Sequence, residues 1–321
     1  MGEYDLRGAA VTLALGGGPR HNAGMIKQAD ILCIGSVLWD VIGRTASHMR
    51  IGSDVPGRIT RLPGGVAMNI AMTLRRYGLT PALLTVIGRD PEGEELIAEA
   101  MRMGMDCGHI YRSDDLPTDV YMAIEGANGL IAAVADAHSL EKAGEKILRP
   151  LQNGDLGTPD IPFDGPVALD GNLTVELLQS IAASPLFAKA DLRVAPASPG
   201  KAERLLALLD HASATLYVNL EEAGLLCQTR FEDSASAAAA LITRGAHRVL
   251  VTDGSKSASE GVAGDIITQT PPAVMVTRVT GAGDTFMAAH IASEAQGLDR
   301  EAALTRALNA AATYVSGETP L

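Results

Sequence analysis

The sequence predicts an α/β fold in which helices cover both faces of a mainly parallel central sheet. Two observations predict it. Short, mostly apolar runs alternate with stretches of helical periodicity from Ile31 onward, and each run is short enough to be a strand buried on both sides. Regular alternation of strands and helices is typical of parallel sheets. The runs occupy residues 31–34, 83–87, 167–169, 192–195, 216–218 and 249–251.

The predicted helices have recognisable first and last residues. The first spans about 67–77 and ends at Gly78, because glycine readily adopts the conformation that ends a helix. Asp90 and Pro91 form a cap that opens a helix over 92–103. The remaining predicted helices cover 234–244 behind a cap at Asp233, 285–296 before Gly297, and a stretch through Val315 behind a cap at Asp299.

The remaining segments divide the chain into an extension and one domain. Residues 1–28 have turn composition without periodicity and are predicted to be a flexible N-terminal extension, so the domain covers 29–321. Residues 120–125 and 130–134 flank a four-residue glycine-rich turn and predict a β-hairpin, with which 58–62 are expected to pair. We expect these segments to form a small β-sheet lid, from about 42–62 and 109–136, over one end of the central sheet.

The acidic composition disfavours several classes of partner. The 321-residue chain carries 26 Lys and Arg against 38 Asp and Glu, a formal net charge of −12. This charge argues against a nucleic acid or an anionic membrane as partner, and no apolar run reaches the roughly 18–20 residues that span a bilayer. The 3 cysteines are far apart and fit neither a disulfide framework nor a zinc site. We therefore expect a cytoplasmic protein.

The predicted strands end in polar or small residues. These endings are Gly35-Ser36, Gly88, Asp170, Pro196, Asn219 and Thr252. In open α/β sheets, ligands bind outside the carboxyl ends of the strands. Although each ending alone is explained as a turn, the set predicts a binding site along one sheet edge.

A glycine loop precedes the helix predicted at 285–296. Residues 281–284 read Gly-Ala-Gly-Asp, and the first N–H groups of a helix are unpaired and lie at its positive end. Such a loop can hold an anion. The alternative for Asp284 is an acidic cap, but a cap alone requires neither glycine. The loop is therefore a candidate for holding a transferring phosphoryl group while Asp284 takes a proton from the attacking hydroxyl.

Four motifs, in order, resemble those of the ribokinase-like (phosphofructokinase-B) carbohydrate kinases. Residues 280–284, Thr-Gly-Ala-Gly-Asp, resemble the family's C-terminal signature, and 63–71, Pro-Gly-Gly-Val-Ala-Met-Asn-Ile-Ala, its N-terminal signature. Residues 219–222 look like its Asn-x-x-Glu motif, and 249–254 like its nucleotide-side strand and turn. The resemblance extends from Ile31 to about Gly317. It implies a three-layer α/β sandwich with a small β-sheet lid, and an ATP-dependent kinase acting on a sugar or nucleoside.

The resemblance also implies roles for individual residues. Asp284 would be the catalytic base, with the transferring phosphoryl group held by backbone N–H groups of Gly281, Ala282 and Gly283. The implied substrate-binding residues are Asp40, Gly64, Gly65, Asn69, Asp170, Asn172 and Lys201. The implied nucleotide-binding residues are Asn219, Glu222, Thr252, Gly254 and Asn309, with Glu222 acting on the metal through water. The implied cofactors are ATP, Mg²⁺ and a monovalent cation, and a homodimer through the lid is the implied assembly.

Several of these residues have a plain structural interpretation when judged without the resemblance. Asn219 and Glu222 have the composition of a helix cap with a first-turn acid. On the same basis the sequence allows a solvated turn carboxylate at Asp40, a glycine turn at Gly64 and Gly65, a helix-face amide at Asn69, structural roles for Asp170 and Asn172, a solvated charge at Lys201 and an exposed helix position at Asn309.

The substrate-side segments are most similar to those of pseudouridine kinases. They are 53–59 running into 62–65, 169–172, and 194–198 with Lys201. The chain departs from the expected pattern at Leu38, where Asn is usual, at Met68, where Arg is expected, and at Ala195, where an acid is expected. We expect pseudouridine to be converted into pseudouridine 5′-phosphate. The departures leave a ribokinase, another nucleoside kinase or another sugar kinase open, and a sugar-sensing protein without turnover is the alternative of a different class.

Overall fold

A central sheet organises the computed structural model, which describes residues 29–50 and 52–317. The predicted extension 1–28 lies outside the described residues. The sheet has eight strands in the order β14 (Asp265–Gln269), β13 (Ala258–Val262), β12 (Arg248–Thr252), β11 (Ala214–Asn219), β10 (Asp191–Ala195), β9 (Pro166–Asp170), β1 (Ile31–Ile34) and β4 (Pro81–Leu84). The strands from β12 to β4 are parallel, and β13 and β14 are antiparallel. The mainly parallel sheet is confirmed.

Helices form a layer on each face of this sheet. One face packs against α1 (Val66–Arg76), α2 (Pro91–Arg102), α7 (Ala282–Ala295) and α8 (Arg300–Ser316). The opposite face packs against α3 (His138–Ala143), α4 (Val175–Ala183), α5 (Leu220–Cys227), α6 (Ser234–Thr243) and the 3₁₀ segments Gly144–Leu151, Pro185–Phe187 and Pro199–Leu208. β1 is buried on both sides because its successive residues alternate between the two apolar clusters. The three-layer sandwich is therefore confirmed.

The predicted helix starts are confirmed by their caps. Asp90 accepts a hydrogen bond from the N–H of Gly93 at 2.8 Å, and Asp233 and Asp299 do the same three residues ahead in α6 and α8. Each contact joins residues that are three positions apart, which explains why the helix caps could be predicted from the sequence. Gly78 follows α1 with φ 87°, as expected of a helix stop.

A second, four-stranded sheet has the order β3 (Arg58–Gly64), β2 (Leu38–Arg44), β7 (Val120–Gly126) and β8 (Gly129–Asp136). Two sequence predictions about it were wrong. β3 pairs with β2, which separates it from the predicted hairpin, and the hairpin turn contains two residues because Gly126 already pairs with Gly129. The sheet begins at Leu38, before the predicted boundary near 42, and residues 109–119 contribute no strand to it.

The apolar run 83–87, predicted as one strand, divides in two. β4 ends at Leu84, and β5 (Val86–Gly88) leaves the main sheet to pair with β6 (Tyr111–Ser113). The break lies at Thr85, whose carbonyl accepts a hydrogen bond from the N–H of Tyr111 at 2.9 Å. Gly88 therefore does not end a strand of the central sheet, which corrects its predicted place at the binding edge. Among the described residues, no helix is both long and apolar enough to cross a lipid bilayer.

Candidate active site

The carboxyl ends of the parallel strands bring most of the predicted polar residues to one edge. Ser36 follows β1, Asp170 ends β9, and Asn219 ends β11 beside Thr252 at the end of β12. Asp170 is paired in register with Ala195 of β10. With the exception of Gly88, the edge predicted from the sequence is the one that the fold assembles.

The Gly-Ala-Gly-Asp loop forms the N-terminus of α7. Gly281 is the N-cap with φ 87°, and the helix begins at Ala282, three residues earlier than predicted. The Ala282 N–H donates to the Val279 carbonyl at 3.0 Å, so this donor is used inside the loop. This corrects the predicted role of Ala282. Within the described residues, the N–H groups of Gly281, Gly283 and Asp284 have no backbone acceptor, as is usual at a helix start. A Cβ atom on Gly283 would meet no heavy atom within 4 Å, so the Cα of Gly283 borders open space.

Asp284 lies half-buried in the first turn of α7 and is held by α1. Its Oδ2 accepts a hydrogen bond from Asn69 Nδ2 at 2.9 Å. Burial raises the pKa of Asp284 to about 7; the Asn69 bond opposes this shift, and the charges of Asp170, Asp40 and Glu222 add to it. A carboxyl group with a pKa close to neutral pH is suited to accept a proton during catalysis.

Asp40 lies on β2, and its negative charge is one of those that raise the pKa of Asp284. Burial raises the pKa of Asp40 to about 6. A Cβ atom on Gly64 would collide with the Asp40 carboxylate, and one on Gly65, where φ is 94°, would collide with the Ser36 carbonyl. The two glycines therefore make room for groups of the protein itself, a role more specific than that of a glycine turn.

Asp170 is fully buried, and its carboxylate is occupied by the protein. It accepts hydrogen bonds from the N–H and Oγ of Ser36 at 2.8 and 2.5 Å and from the N–H and Nδ2 of Asn172 at 2.8 and 2.9 Å. Ser36 Oγ also accepts from the Val66 N–H at 2.9 Å, where α1 begins. Asp170 thus joins the ends of β9 and β1 and supports the helix that carries Asn69, which favours a structural role over direct contact with substrate.

Lys201 extends this network toward the surface. Its Nζ donates to Asn172 Oδ1, and burial, together with the nearby charge of Arg204, lowers its pKa. The guanidinium of Arg204 donates to the carbonyl groups of Asn172 and Leu173, each at 3.0 Å. Lys201 is therefore a partly buried ammonium group in a fixed position rather than a solvated charge.

Asn219 and Glu222 form a reciprocal cap at the start of α5. The Asn219 N–H donates to Glu222 Oε2 at 2.8 Å, and the Glu222 N–H donates to Asn219 Oδ1 at 2.9 Å. Burial raises the pKa of Glu222 to about 7. Its Oε1 has no hydrogen bond within the described residues. The helix cap expected from composition is present, and it leaves one carboxylate oxygen and the Asn219 amide nitrogen free for further partners.

Two predicted nucleotide-binding residues lie apart from these networks. Gly254 is exposed in the turn after β12 with φ 57°, and Asn309 is exposed on α8. No hydrogen bond joins them to the rest of the predicted residues within the described part of the chain. Their role at the nucleotide therefore stays a prediction.

Sequence reasoning missed several residues that support the site. Tyr314, on α8, donates from its hydroxyl to the Thr280 carbonyl at 2.8 Å, and the guanidinium of Arg278 lies 3.8 Å from the centre of its ring. Together with Arg204, and with Ser36, which the sequence identified only as a strand ending, these side chains hold the loops that carry the predicted residues. Their partners are 30 or more positions away in sequence, so no local motif could have identified them.

Comparisons with known proteins bear on the family and the fold. A sequence profile described as pfkB family carbohydrate kinase matches residues 28–319. The chain is 30% identical to the uncharacterized sugar kinase YeiI of Escherichia coli (strain K12), over 91% of this chain and 80% of that protein. It is 27% identical to the pseudouridine kinase of the same organism, over 80% of this chain and 81% of that protein. Among solved structures, the Arabidopsis thaliana ribokinase complexed with ribose and ATP has the same fold, with a TM-score of 0.72, 22% identity, and coverage of 90% of this chain and 93% of that chain.

Proposed function

The chain belongs to the pfkB family of carbohydrate kinases, and from this membership we propose that it transfers the terminal phosphoryl group of ATP to a primary hydroxyl of a ribosyl or sugar substrate, with pseudouridine as the leading one. The observation that carries the proposal is the hydrogen bond from Asn69 to Asp284 at the start of α7. It places a carboxyl group with a near-neutral pKa beside free backbone donors and open space. This is the set of groups that phosphoryl transfer to a hydroxyl requires.

In the proposed reaction, Asp284 orients the hydroxyl and accepts its proton. The hydroxyl oxygen bonds to the terminal phosphorus while the bond from that phosphorus to the bridging oxygen breaks, and ADP leaves. The N–H groups of Gly281, Gly283 and Asp284 stabilise the charge on the phosphoryl oxygens, aided by the positive end of α7. Positioning of the reactants supplies much of the rate increase, because little further covalent chemistry is needed.

The proposed metal is Mg²⁺, which neutralises phosphate charge when it is bound. Glu222 fits this role because its Oε1 has no protein donor and its buried carboxylate has no cationic partner within the described residues. Mg²⁺ takes oxygen ligands and retains water molecules, so a contact through water is proposed. Asn219 and Thr252 lie at the ends of neighbouring strands beside it and are proposed to face the nucleotide. A monovalent cation is proposed as well, on the family resemblance alone.

Pseudouridine is proposed on the resemblance of segments 53–59, 62–65 and 169–172 to those of pseudouridine kinases. In the structure Leu38, Met68 and Ala195, where the chain departs from the pattern, are buried at 6%, 0% and 9% exposure. Substrate recognition would therefore rely on Asp40, Asn172 and Lys201, whose polar groups lie at the site edge. Ribose, different nucleosides and different sugars are the competing substrates.

A coupled ATPase assay across pseudouridine, uridine, adenosine, ribose and fructose tests the substrate. We expect the highest kcat/KM with pseudouridine and a product phosphorylated at the 5′ position. Equal rates across the panel, or preference for another member, would overturn the assignment of pseudouridine while leaving the kinase activity in place.

Asp284→Asn tests the chemistry. The substituted amide can still accept the Asn69 hydrogen bond but cannot take a proton, so we expect kcat to fall by about 10²- to 10⁴-fold with little change in sugar binding. Asp210→Asn is the matched control, because Asp210 is exposed and has no assigned role in the site. Retention of the parental kcat by Asp284→Asn would show that another group is the base.

The four-stranded sheet is proposed to close over the substrate and to mediate a homodimer. Ile59, Met122, Ile124 and Val134 share one face of it and are 76%, 50%, 39% and 68% exposed. A contiguous apolar patch of this kind is typical of an interaction surface. Asp40 lies on the opposite face of β2, which can therefore face the site while the apolar patch contacts a second copy.

A further inference from the structure

A shallow cavity with a basic lining opens widely to solvent, and none of the predicted kinase residues lines it. It has a volume of about 320 Å³ and is bounded by the loop before β6, by β6 and by the 3₁₀ segment Gly144–Leu151. Arg89, His109, Arg112, Lys146 and Arg149 line it, and Asp155 is its one acidic lining residue. This concentration of positive charge contrasts with the net charge of −12 for the whole chain.

Lys146 and Arg149 are the two lining cations that no carboxylate holds in an ion pair within the described residues. The Lys146 Nζ and the Arg149 Cζ each lie 5.5 Å from the centre of the Tyr111 ring. Lys146 and Arg149 are three positions apart in the 3₁₀ segment Gly144–Leu151, a spacing at which like charges repel each other. The Ser113 hydrogen bond lowers the pKa of the Asp115 carboxyl and the charge of Lys146 adds to this effect, but Lys146 and Asp115 form no ion pair in the described part of the chain. Both cations therefore remain available to an anion.

The remaining arginines of the cavity each have a partner in the protein, and Arg112 has the most. The Arg112 guanidinium donates to the Gly88 carbonyl at 2.8 Å and to Glu94 at 2.7 Å, and Arg89 lies 3.1 Å from Asp114. Arg112 is therefore held in position by α2 and β5 before any ligand arrives. A preorganised cation beside two unpaired ones lowers the cost of binding an anion.

The size of the cavity and the type of its cations indicate a small phosphorylated ligand. A volume of about 320 Å³ is at the lower end for small-molecule sites. Guanidinium groups bind phosphate oxygens in a bidentate manner, and ammonium groups bind them as point charges. We propose that this cavity is a second, non-catalytic binding site for a small molecule that carries one or two phosphate groups.

Calorimetric titration with inorganic pyrophosphate tests the proposal. We compare the parent, the Lys146→Ala/Arg149→Ala double variant and a Lys189→Ala/Arg230→Ala control, which loses the same two residue types at exposed positions. Any binding of pyrophosphate at the proposed nucleotide site is common to all three proteins, because none of the substitutions touches that site. We expect the parent and the control to show a pyrophosphate-binding event that Lys146→Ala/Arg149→Ala lacks. If the variant retains this event, we expect its affinity to be at least about tenfold lower. Identical isotherms for the two double variants would overturn the proposal.

A second measurement uses the parent protein and needs no variant. The rate of Lys146 acylation by an amine-reactive reagent is followed by mass spectrometry, with exposed Lys189 as the internal reference. We expect pyrophosphate to slow the modification of Lys146 severalfold and to leave that of Lys189 unchanged. Equal rates at Lys146 with and without pyrophosphate would also overturn the proposal.

Discussion

Asp284 owes its raised pKa to burial and to a group of carboxylates around it. Asp170, Asp40 and Glu222 raise it further, and the hydrogen bond from Asn69 lowers it. A base is active when deprotonated, so kcat/KM should fall as the pH drops through the Asp284 pKa of about 7. Asn69 is then a positioning residue that also sets the working pH range of the base.

Asn69→Ala should move this pH profile upward. The variant removes the hydrogen bond that favours the carboxylate, so the pKa of Asp284 rises and the midpoint of kcat/KM against pH shifts to higher pH. Gln152→Ala, at an exposed position, is the control and should keep the parental midpoint. A purely structural role for Asn69 would lower kcat/KM at all pH values without moving the midpoint, and that outcome would contradict the prediction.

Two glycines at the start of α7, Gly281 and Gly283, are expected to serve different purposes, the first in folding and the second in catalysis. Gly281 has φ 87°, and a Cβ atom there would lie 2.6 Å from the Tyr314 hydroxyl oxygen. Gly283 lies inside the helix, with open space where a Cβ atom would be. The fold therefore requires glycine at position 281. At position 283 the fold has no such requirement, and we expect glycine to be needed there only for the phosphoryl group proposed to occupy that space.

Gly281→Ala and Gly283→Ala should consequently have opposite effects on stability. Gly281→Ala should lower the Tm by roughly 2–6 °C, because it adds backbone strain and a collision. Gly283→Ala should leave the Tm unchanged or slightly higher, since alanine favours helix, while lowering kcat/KM by about tenfold or more because the methyl group enters the phosphoryl space. Thermal melts and the coupled assay measure both, and full activity of Gly283→Ala would place the phosphoryl group elsewhere.

Elements with local signals were predictable from the sequence, and elements defined by distant partners were not. The caps at Asp90, Asp233 and Asp299 bond three residues ahead and were found. β2 was missed because its burial declines along its length and its existence depends on pairing with β7 about 80 residues later. The site shows the same division. The loop containing Asp284 was predicted from its local motif, but the hydrogen bond from Ser36 to Asp170 was not, because it joins residues 134 positions apart.

A buried ion cluster between β13, β12 and α8 was likewise invisible in the sequence. Glu260, on β13, is fully buried and accepts hydrogen bonds at Oε1 from Arg248 and Arg300, each at 2.8 Å. Burial raises the pKa of Glu260, but His290 and the two arginines outweigh this effect and hold the pKa at about 2. The antiparallel edge of the sheet is therefore fastened to α8 by charge.

Glu260→Gln should lower stability in a pH-dependent way. Because the folded pKa of about 2 lies below the ordinary value of 4.5, the ionised carboxylate stabilises the fold above about pH 4.5, and this stabilisation is lost as the pH falls toward 2. The variant should unfold several degrees below the parent at pH 7, and the difference in Tm should shrink as the pH is lowered. Exposed Glu203→Gln is the control. A Tm difference that is the same at pH 7 and pH 3 would contradict the prediction.

The proposed assembly of the whole molecule depends on the exposed face of the four-stranded sheet. That face carries Ile59, Met122, Ile124 and Val134, whereas the end nearest the main domain is covered, since Trp39 donates to the Glu92 carbonyl of α2 at 2.9 Å. The covered end fixes the sheet to the domain, and the uncovered end leaves apolar area for a partner. Two copies joined through this face would place each site next to the interface.

Ile59→Glu should therefore convert a dimer into a monomer. The substitution puts a charge into the apolar contact, where burying it without a partner costs several kcal/mol. Ile161→Glu is a matched control, because Ile161 is 75% exposed against 76% for Ile59 but lies outside the sheet. Light scattering after size-exclusion chromatography measures the mass of each protein.

We expect the parent and Ile161→Glu to be dimers and Ile59→Glu to be a monomer. We also expect a higher KM for Ile59→Glu, because the sheet that closes over the substrate loses its support. A monomeric parent, or a dimeric Ile59→Glu, would show that this face is not the interface.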